Sequence, residues 1–139
     1  MTRNCTTPTG TSLFVGLLNA EASDLESLGT TEAEQGDHTK SQADHIVGLF
    51  CTVDGVIVRN LNTYGCAPSQ FTFTAPIPWL FGAIGGLGKA VADGYCLMLA
   101  PLSAGKHTVH FGGSLHFTLA NDGFDADFPL DMTYNLAVN

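Results

Sequence analysis

Apolar and polar residues alternate most regularly between Tyr95 and Leu119. Tyr95, Leu97 and Leu99 stand against Cys96, Met98 and Ala100, the period of two expected of a strand. Pro101 to Gly105 (PLSAG) supplies a turn, and beyond it His107, Val109 and Phe111 fall on one face of a further strand. Gly112-Gly113-Ser114 reads as a three-residue hairpin loop that leads into a strand whose core face carries Leu115, Phe117 and Leu119. The last strand, Leu130 to Val138, turns Leu130, Met132, Tyr134, Leu136 and Val138 inward.

Earlier in the chain, Thr11 to Asn19 (TSLFVGLLN) is a short, nearly continuous apolar run of the kind a buried strand has. Ala20 to His45 changes character and holds seven of the thirteen acids. Within it Thr31 and Glu34 have the spacing of a capping box, which predicts a short acidic helix with a solvated face. Leu49 to Val58 reads as a hairpin about Asp54-Gly55, the residue pair a type I′ turn prefers, and Phe71 to Thr74 alternates as a strand. Ala75 to Asp93, with Pro76, Pro78 and several glycines, reads as a long loop. Short strands separated by turn signals predict an antiparallel β-sandwich, jelly-roll or immunoglobulin-like, over residues 1–139 as a single domain, with one short helix inserted after the first strand.

Composition narrows the function classes. Charged residues make up 13% of the chain, about half the usual share of roughly 25%. The net charge is −8, and the five cations (Arg3, Lys40, Arg59, Lys89, Lys106) are scattered. Nucleic-acid binding needs clustered cations and is excluded on this ground. No apolar run reaches the ~18–20 residues of a membrane-spanning helix, so no membrane insertion is expected. Met1 is not followed by a basic stretch and an apolar core, so an exported protein would be seen here in mature or truncated form.

The four cysteines, Cys5, Cys51, Cys66 and Cys96, lack CxxC spacing, which argues against a zinc knuckle or a thioredoxin-type site. Their even number and wide spacing fit two disulfides in an oxidising compartment. Of the possible pairings, Cys51 with Cys66 is favoured because the hairpin between them returns the chain on itself.

Four segments carry a resemblance. They are Arg3 to Phe14 (R-x-C-x-x-P-x-G-x-x-L-F), the Thr52 to Gly55 hairpin, Ala92 to Gly113 (A-D-G-Y-x-L-M-L-x-P-L-x-x-G-x-H-x-x-H-F-x-G) and the closing Asp131-Met132-Thr133-Tyr134. In these the chain resembles a family of uncharacterised secreted bacterial proteins. The resemblance implies export to the cell surface or beyond and brings no activity with it. Members of that family carry a further N-terminal segment before the R-x-C motif, at which this chain starts. A missing strand would leave a sheet edge open to another chain.

Candidate chemistry sits in four places. With a hairpin loop at Gly112-Gly113-Ser114, His110 and His116 would face each other across two strands, about 5 Å apart at Cβ, and could share a metal if a further ligand joined them. His107, on the core face, reads as a neutral imidazole hydrogen-bonded to backbone. Asp122, Asp125 and Asp127, with Asn121, could gather around a structural calcium, although the spacing is not that of an EF-hand and an acidic hairpin loop is the simpler reading. Tyr64, Trp79 and Phe81 could form an aromatic platform for sugar rings. No G-x-S-x-G elbow occurs, and Gly82 to Gly88 lacks the Lys-Ser/Thr ending of a phosphate loop. The expectation is therefore a non-catalytic, exported binding or surface-structural module whose partner is an extracellular glycan or another copy of itself. The alternative is a small metal-assisted hydrolase using His110 and His116.

Overall fold

The computed structural model describes residues 1–79 and 84–139. The protein is mainly β, with two sheets and one helix longer than a single turn or two. The strands are β1 (Thr2–Thr7), β2 (Leu13–Ser23), β3 (Ile46–Val53), β4 (Val56–Ile57), β5 (Gly65–Cys66), β6 (Phe71–Ala75), β7 (Gly86–Leu99), β8 (Gly105–Phe117) and β9 (Ala126–Val138). Helix α1 spans Glu32–Ala43, and the one-turn α2 spans Leu119–Asp122. One sheet runs β1-β9-β8-β3-β4, the other β2-β7-β5 with β6 also on β7. The chain clusters into two compact units, 1–18 with 45–65 and 95–139, and 19–44 with 66–94.

The first unit carries the sandwich. Its backbone is the antiparallel β8–β9 ladder, paired without interruption from Gly105 opposite Val138 to Phe117 opposite Ala126. The period of two then puts Val109, Phe111 and Leu136 on one face, where they pack with Cys51 of β3 and with Val15, Leu17 and Leu97 of β2 and β7. Leu130, Met132 and Tyr134 extend that face as the alternation predicts. The β3–β4 hairpin turns at Asp54 (φ 52°) and Gly55 (φ 78°), two successive left-handed residues, as a type I′ turn requires. Strand β1 adds parallel to β9, with Thr2 beside Thr133 and Thr7 beside Val138. Its sequence, TRNCTT, has no apolar period, and backbone pairing alone makes it a strand.

The predicted hairpin at Gly112-Gly113-Ser114 does not form. Strand β8 runs straight through it, and the glycines serve close approach instead of a turn. A Cβ on Gly112 would run into the Leu130 carbonyl and the Phe50 ring, and one on Gly113 would press on the Val47 carbonyl and Leu49. The real turn follows Phe117, where α2 ends on Gly123 (φ 79°). Leu119, expected in the core, is 63% exposed there.

In the second unit α1 begins as predicted. Thr31 accepts from the Glu34 N–H while the Glu34 carboxylate accepts from the Thr31 N–H. Its buried face is polar: Gln35 Nε2 donates to the carbonyls of Gly29 and Lys89, and Gln35 Oε1 accepts from Gln70. The expected long loop over 75–93 is overturned, because β7 already starts at Gly86 and pairs with β6, Phe73 opposite Gly88. The alternation there is inverted in size. Leu87 points outward, 74% exposed, while Gly88 and Ala90 face in. A Cβ on Gly88 would collide with the Leu25 side chain. Small inward residues hide a strand from any reading based on large apolar ones.

The cysteine pairing also differs from the one favoured. Cys66 of β5 is disulfide-bonded to Cys96 of the neighbouring β7, while Cys51 is buried in the core and Cys5 is exposed, both as free thiols. Cys51 sits opposite Phe111 on the inner face of β3, so its side chain points away from any partner outside the core.

Two substitutions test this packing by chemical denaturation. Leu17→Ala, at a fully buried site, is expected to lose about 2–5 kcal/mol. Gly112→Ala is expected to lose about 1–3 kcal/mol by overpacking, although it adds a single methyl group to a strand. An unchanged denaturation midpoint for Gly112→Ala would contradict the close approach of Leu130 and Phe50.

Candidate functional site

Four of the five histidines are bonded to an aspartate, and all four pairs lie in the first unit. His110 and His116 are both on the outer face of β8, six positions apart on one strand and so about 20 Å from each other at ~3.3 Å per residue. They are not cross-strand neighbours, because the loop that would have folded one onto the other is continuous strand. The residues opposite them belong to β9: His110 faces Thr133 and bonds Asp131 (2.9 Å), and His116 faces and bonds Asp127 (2.7 Å). The shared-metal arrangement is therefore replaced by two separate imidazole–carboxylate pairs.

The acidic loop is likewise divided among protein donors. Asp122 accepts from the Thr118 N–H through Oδ2 and holds His45 through Oδ1 (2.7 Å). The backbone N–H of Thr118, then His45, keep its carboxyl below the ordinary aspartate range. Asp125 accepts from the Leu119 N–H, and Asp127 is taken by His116. These carboxylates cap α2 and clip the β8–β9 turn. Among the described residues, no three His, Cys, Asp or Glu side chains are gathered to hold a metal ion. His45 also stacks on Phe117, ring centroids 4.3 Å apart.

His107 is the best-held of the four and is not the neutral imidazole expected. Its Nδ1 bonds the Asp54 carboxylate (2.7 Å) and its Nε2 bonds the Ser103 carbonyl (2.9 Å). Both partners are acceptors, so the imidazolium satisfies both bonds at once, with the Ser103 hydroxyl a longer 3.4 Å from Nε2. The Asp54 bond, then the Ser103 carbonyl, push its pKa up, and the His107 bond with the Thr108 N–H pulls that of Asp54 down. With both nitrogens engaged, His107 has none left to act as a base. It clasps the Asp54-Gly55 turn to the segment before β8.

The aromatic residues fall in different units. Tyr64 is 44% exposed in the first. Trp79 is half-buried in the second, tilted against Phe73 at 6.0 Å between ring centroids, and Phe73 in turn lies beside Phe71. Phe81 lies outside the described residues.

Two further features carry no obvious sequence signal. An open groove of about 680 Å³ runs beside β3, lined by Leu49, Cys51, Ile57, Val58, Leu61 and Tyr95 among others, and no Asp, Glu, His, Lys or Arg borders it. In the second unit, Glu21 lies beside Glu26, which accepts from Ser23 Oγ (2.8 Å). Partial desolvation, then the neighbouring Glu26 carboxylate, raise the Glu21 pKa to about 7. These two acids belong to the acidic run of residues 20–45 but precede the predicted helix, and only the bend after β2 brings them together.

Compared with protein-family models, with curated proteins and with solved structures, the chain matches none.

The titrating groups make a prediction about pH. His107 has a folded pKa raised above its unfolded value of about 6.5, so its contribution is complete below that pH and is lost as pH rises through the raised value. Asp54, lowered, contributes above about pH 3.9 and is lost only as pH falls through its lowered value. Protonated Glu21 favours the folded state in the same sense as His107, and that contribution disappears as pH rises through about 7. The thermal midpoint is therefore expected to fall as the pH is raised from mildly acidic to mildly alkaline. His107→Gln and Glu21→Gln should each flatten part of that slope and their combination most of it. A midpoint that climbs over the same interval in the wild type would contradict both assignments.

Proposed function

We propose that the protein is an exported, non-catalytic structural module that works by assembling with further copies of itself through the edge of its five-stranded sheet. The observation that carries this is the outer edge of β1. The Thr133 N–H donates to the Met1 carbonyl and the Asn139 N–H to the Thr7 carbonyl, so the odd-numbered residues of β1 turn their backbone groups to β9. Thr2, Asn4 and Thr6 therefore point their N–H and C=O groups away from the sheet, and among the described residues no strand pairs with them.

Protected edges carry prolines, bulges, lysines or very short strands. The opposite edge of this sheet has two of these devices: β4 is two residues long, and β3 is bulged between Val47 and Phe50. Strand β1 has neither over Thr2–Thr7 and carries a single charge, Arg3. Export is supported by the Cys66–Cys96 disulfide, which persists in oxidising compartments. The non-catalytic reading is supported by the engagement of His107 at both nitrogens and by the separation of His110 from His116.

Sedimentation velocity over a wide concentration range tests the proposal. The wild-type chain is expected to shift from monomer toward dimer or higher species. Thr6→Pro removes an outward N–H without touching a bond to β9, and should hold the chain monomeric with its thermal midpoint unchanged. Cys5→Pro removes an inward N–H and should instead destabilise β1. A wild type that stays monomeric throughout would refute assembly through this edge.

A further inference from the structure

We infer that the assembly is an antiparallel edge-to-edge dimer with its two-fold axis at Cys5, closed by a disulfide between the Cys5 residues of the two copies. This rests on the edge pairing proposed above and specifies its register, its partner and its redox dependence.

Three observations converge. First, the chain holds a disulfide, Cys66–Cys96, and leaves two thiols. Cys51 is buried in the core, where burial raises its pKa and makes it unreactive. Cys5 is exposed, and an accessible unpaired cysteine in a disulfide-bearing chain points to a partner in another molecule. Second, Cys5 stands in the middle of the open edge, and its own N–H and C=O face β9. When two copies of β1 pair antiparallel, residues of this parity form the non-hydrogen-bonded pairs. Asn4 and Thr6 of one copy then exchange bonds with Thr6 and Asn4 of the other. A non-hydrogen-bonded pair brings its Cα atoms to about 4.5 Å, inside the ~4.4–6.8 Å that a disulfide spans. Third, the chain has a net charge of −8 and its copies repel one another, yet no acid occurs before Glu21. The β1 edge therefore brings two copies together through a segment that carries Arg3 and no acid.

Identity of the partner follows from the symmetry. Only a second copy necessarily places a thiol opposite Cys5. The competing register, centred on Asn4, pairs Thr2 with Thr6 as well as Asn4 with Asn4 and so forms more backbone bonds, but it sets Cys5 opposite Arg3. The two thiols are then displaced by two residues, about 6.8 Å along the strand, and cannot be bridged. The disulfide therefore selects the Cys5-centred register over one that backbone bonding alone would favour.

The chemistry needs a disulfide donor such as oxidised glutathione. The Cys5 thiolate of one copy attacks it, forming a mixed disulfide and releasing one reduced thiol. The Cys5 thiolate of the second copy then attacks the protein sulfur and expels the other. Two protein thiols are oxidised to one disulfide, and one glutathione disulfide is reduced to two thiols.

The full chain is incubated with oxidised glutathione, alkylated, and followed by non-reducing electrophoresis and peptide mass spectrometry. A reducible dimer is expected, with a Cys5–Cys5 linked peptide and an unchanged Cys66–Cys96 link. It should be absent in Cys5→Ser and at least ten-fold slower to form in Thr6→Pro, which keeps the thiol but loses the edge. Cys5→Ser should still associate weakly in sedimentation. A dimer that depends on Thr6 but contains no Cys5–Cys5 peptide would overturn the register while leaving the edge pairing standing. Cross-linking at equal rates in wild type and Thr6→Pro would reduce Cys5 to a thiol meeting others by collision, and would overturn the inference. Absence of any dimer, covalent or not, would refute both proposals.

Discussion

Thirteen consecutive residue pairs tie β8 to β9, and the first unit is organised by that ladder. It carries β3 on one side and β1 on the other, and its inner face supplies Val109, Phe111 and Leu136 to the core. An antiparallel pair of this length fixes the face of every side chain along it, because a one-residue slip would reverse them all. The ladder can stay regular only if nothing projects at Gly112 and Gly113, where the Leu130 carbonyl, Phe50 and Leu49 crowd the strand. Two glycines that look like a turn are thus the condition for having no turn.

Histidines spaced along β8, and His45 just before β3, are all matched to aspartates on neighbouring segments. In a chain of net charge −8 each imidazolium would offset a carboxylate that otherwise adds to self-repulsion. The pairs on the outer face are exposed and screened, so they contribute little to stability one by one. The His107 clasp differs because both ring nitrogens are committed and the ring is largely shielded. These pairs resemble parts of a hydrolytic site when read singly. Their separation along one strand makes them fasteners of a sheet.

The two edges of the five-stranded sheet are unequal. One ends in the two-residue β4 and a bulge; the other ends in β1, regular, polar and, among the described residues, unpaired on its outer side. Polar side chains keep β1 from being an indiscriminate adhesive surface, while its backbone keeps a directional set of donors and acceptors. In the inferred dimer, a disulfide between the thiols at its midpoint would fix one register.

Much of the first unit was legible in the residues. The inward sets His107, Val109, Phe111 and Leu130 to Val138 follow from a period of two and the type I′ turn from Asp54-Gly55; in the second unit, the start of α1 follows from Thr31 and Glu34. These are local rules, set by backbone geometry and by neighbours a few residues apart. Strand β1, the straight course of β8 through its glycines and the early start of β7 were not legible. There the deciding contacts come from distant residues: β9 for β1, Phe50 and Leu130 for Gly112, Leu25 for Gly88. The same holds for the candidate site. The sequence alone determined a mainly β, acidic chain with accessible histidines and an even set of cysteines. Only the tertiary structure decided that His110 and His116 stand apart, that Cys66 joins Cys96, and that Cys5 is left on an open edge, because strand order and register are set by long-range pairing that no local pattern encodes.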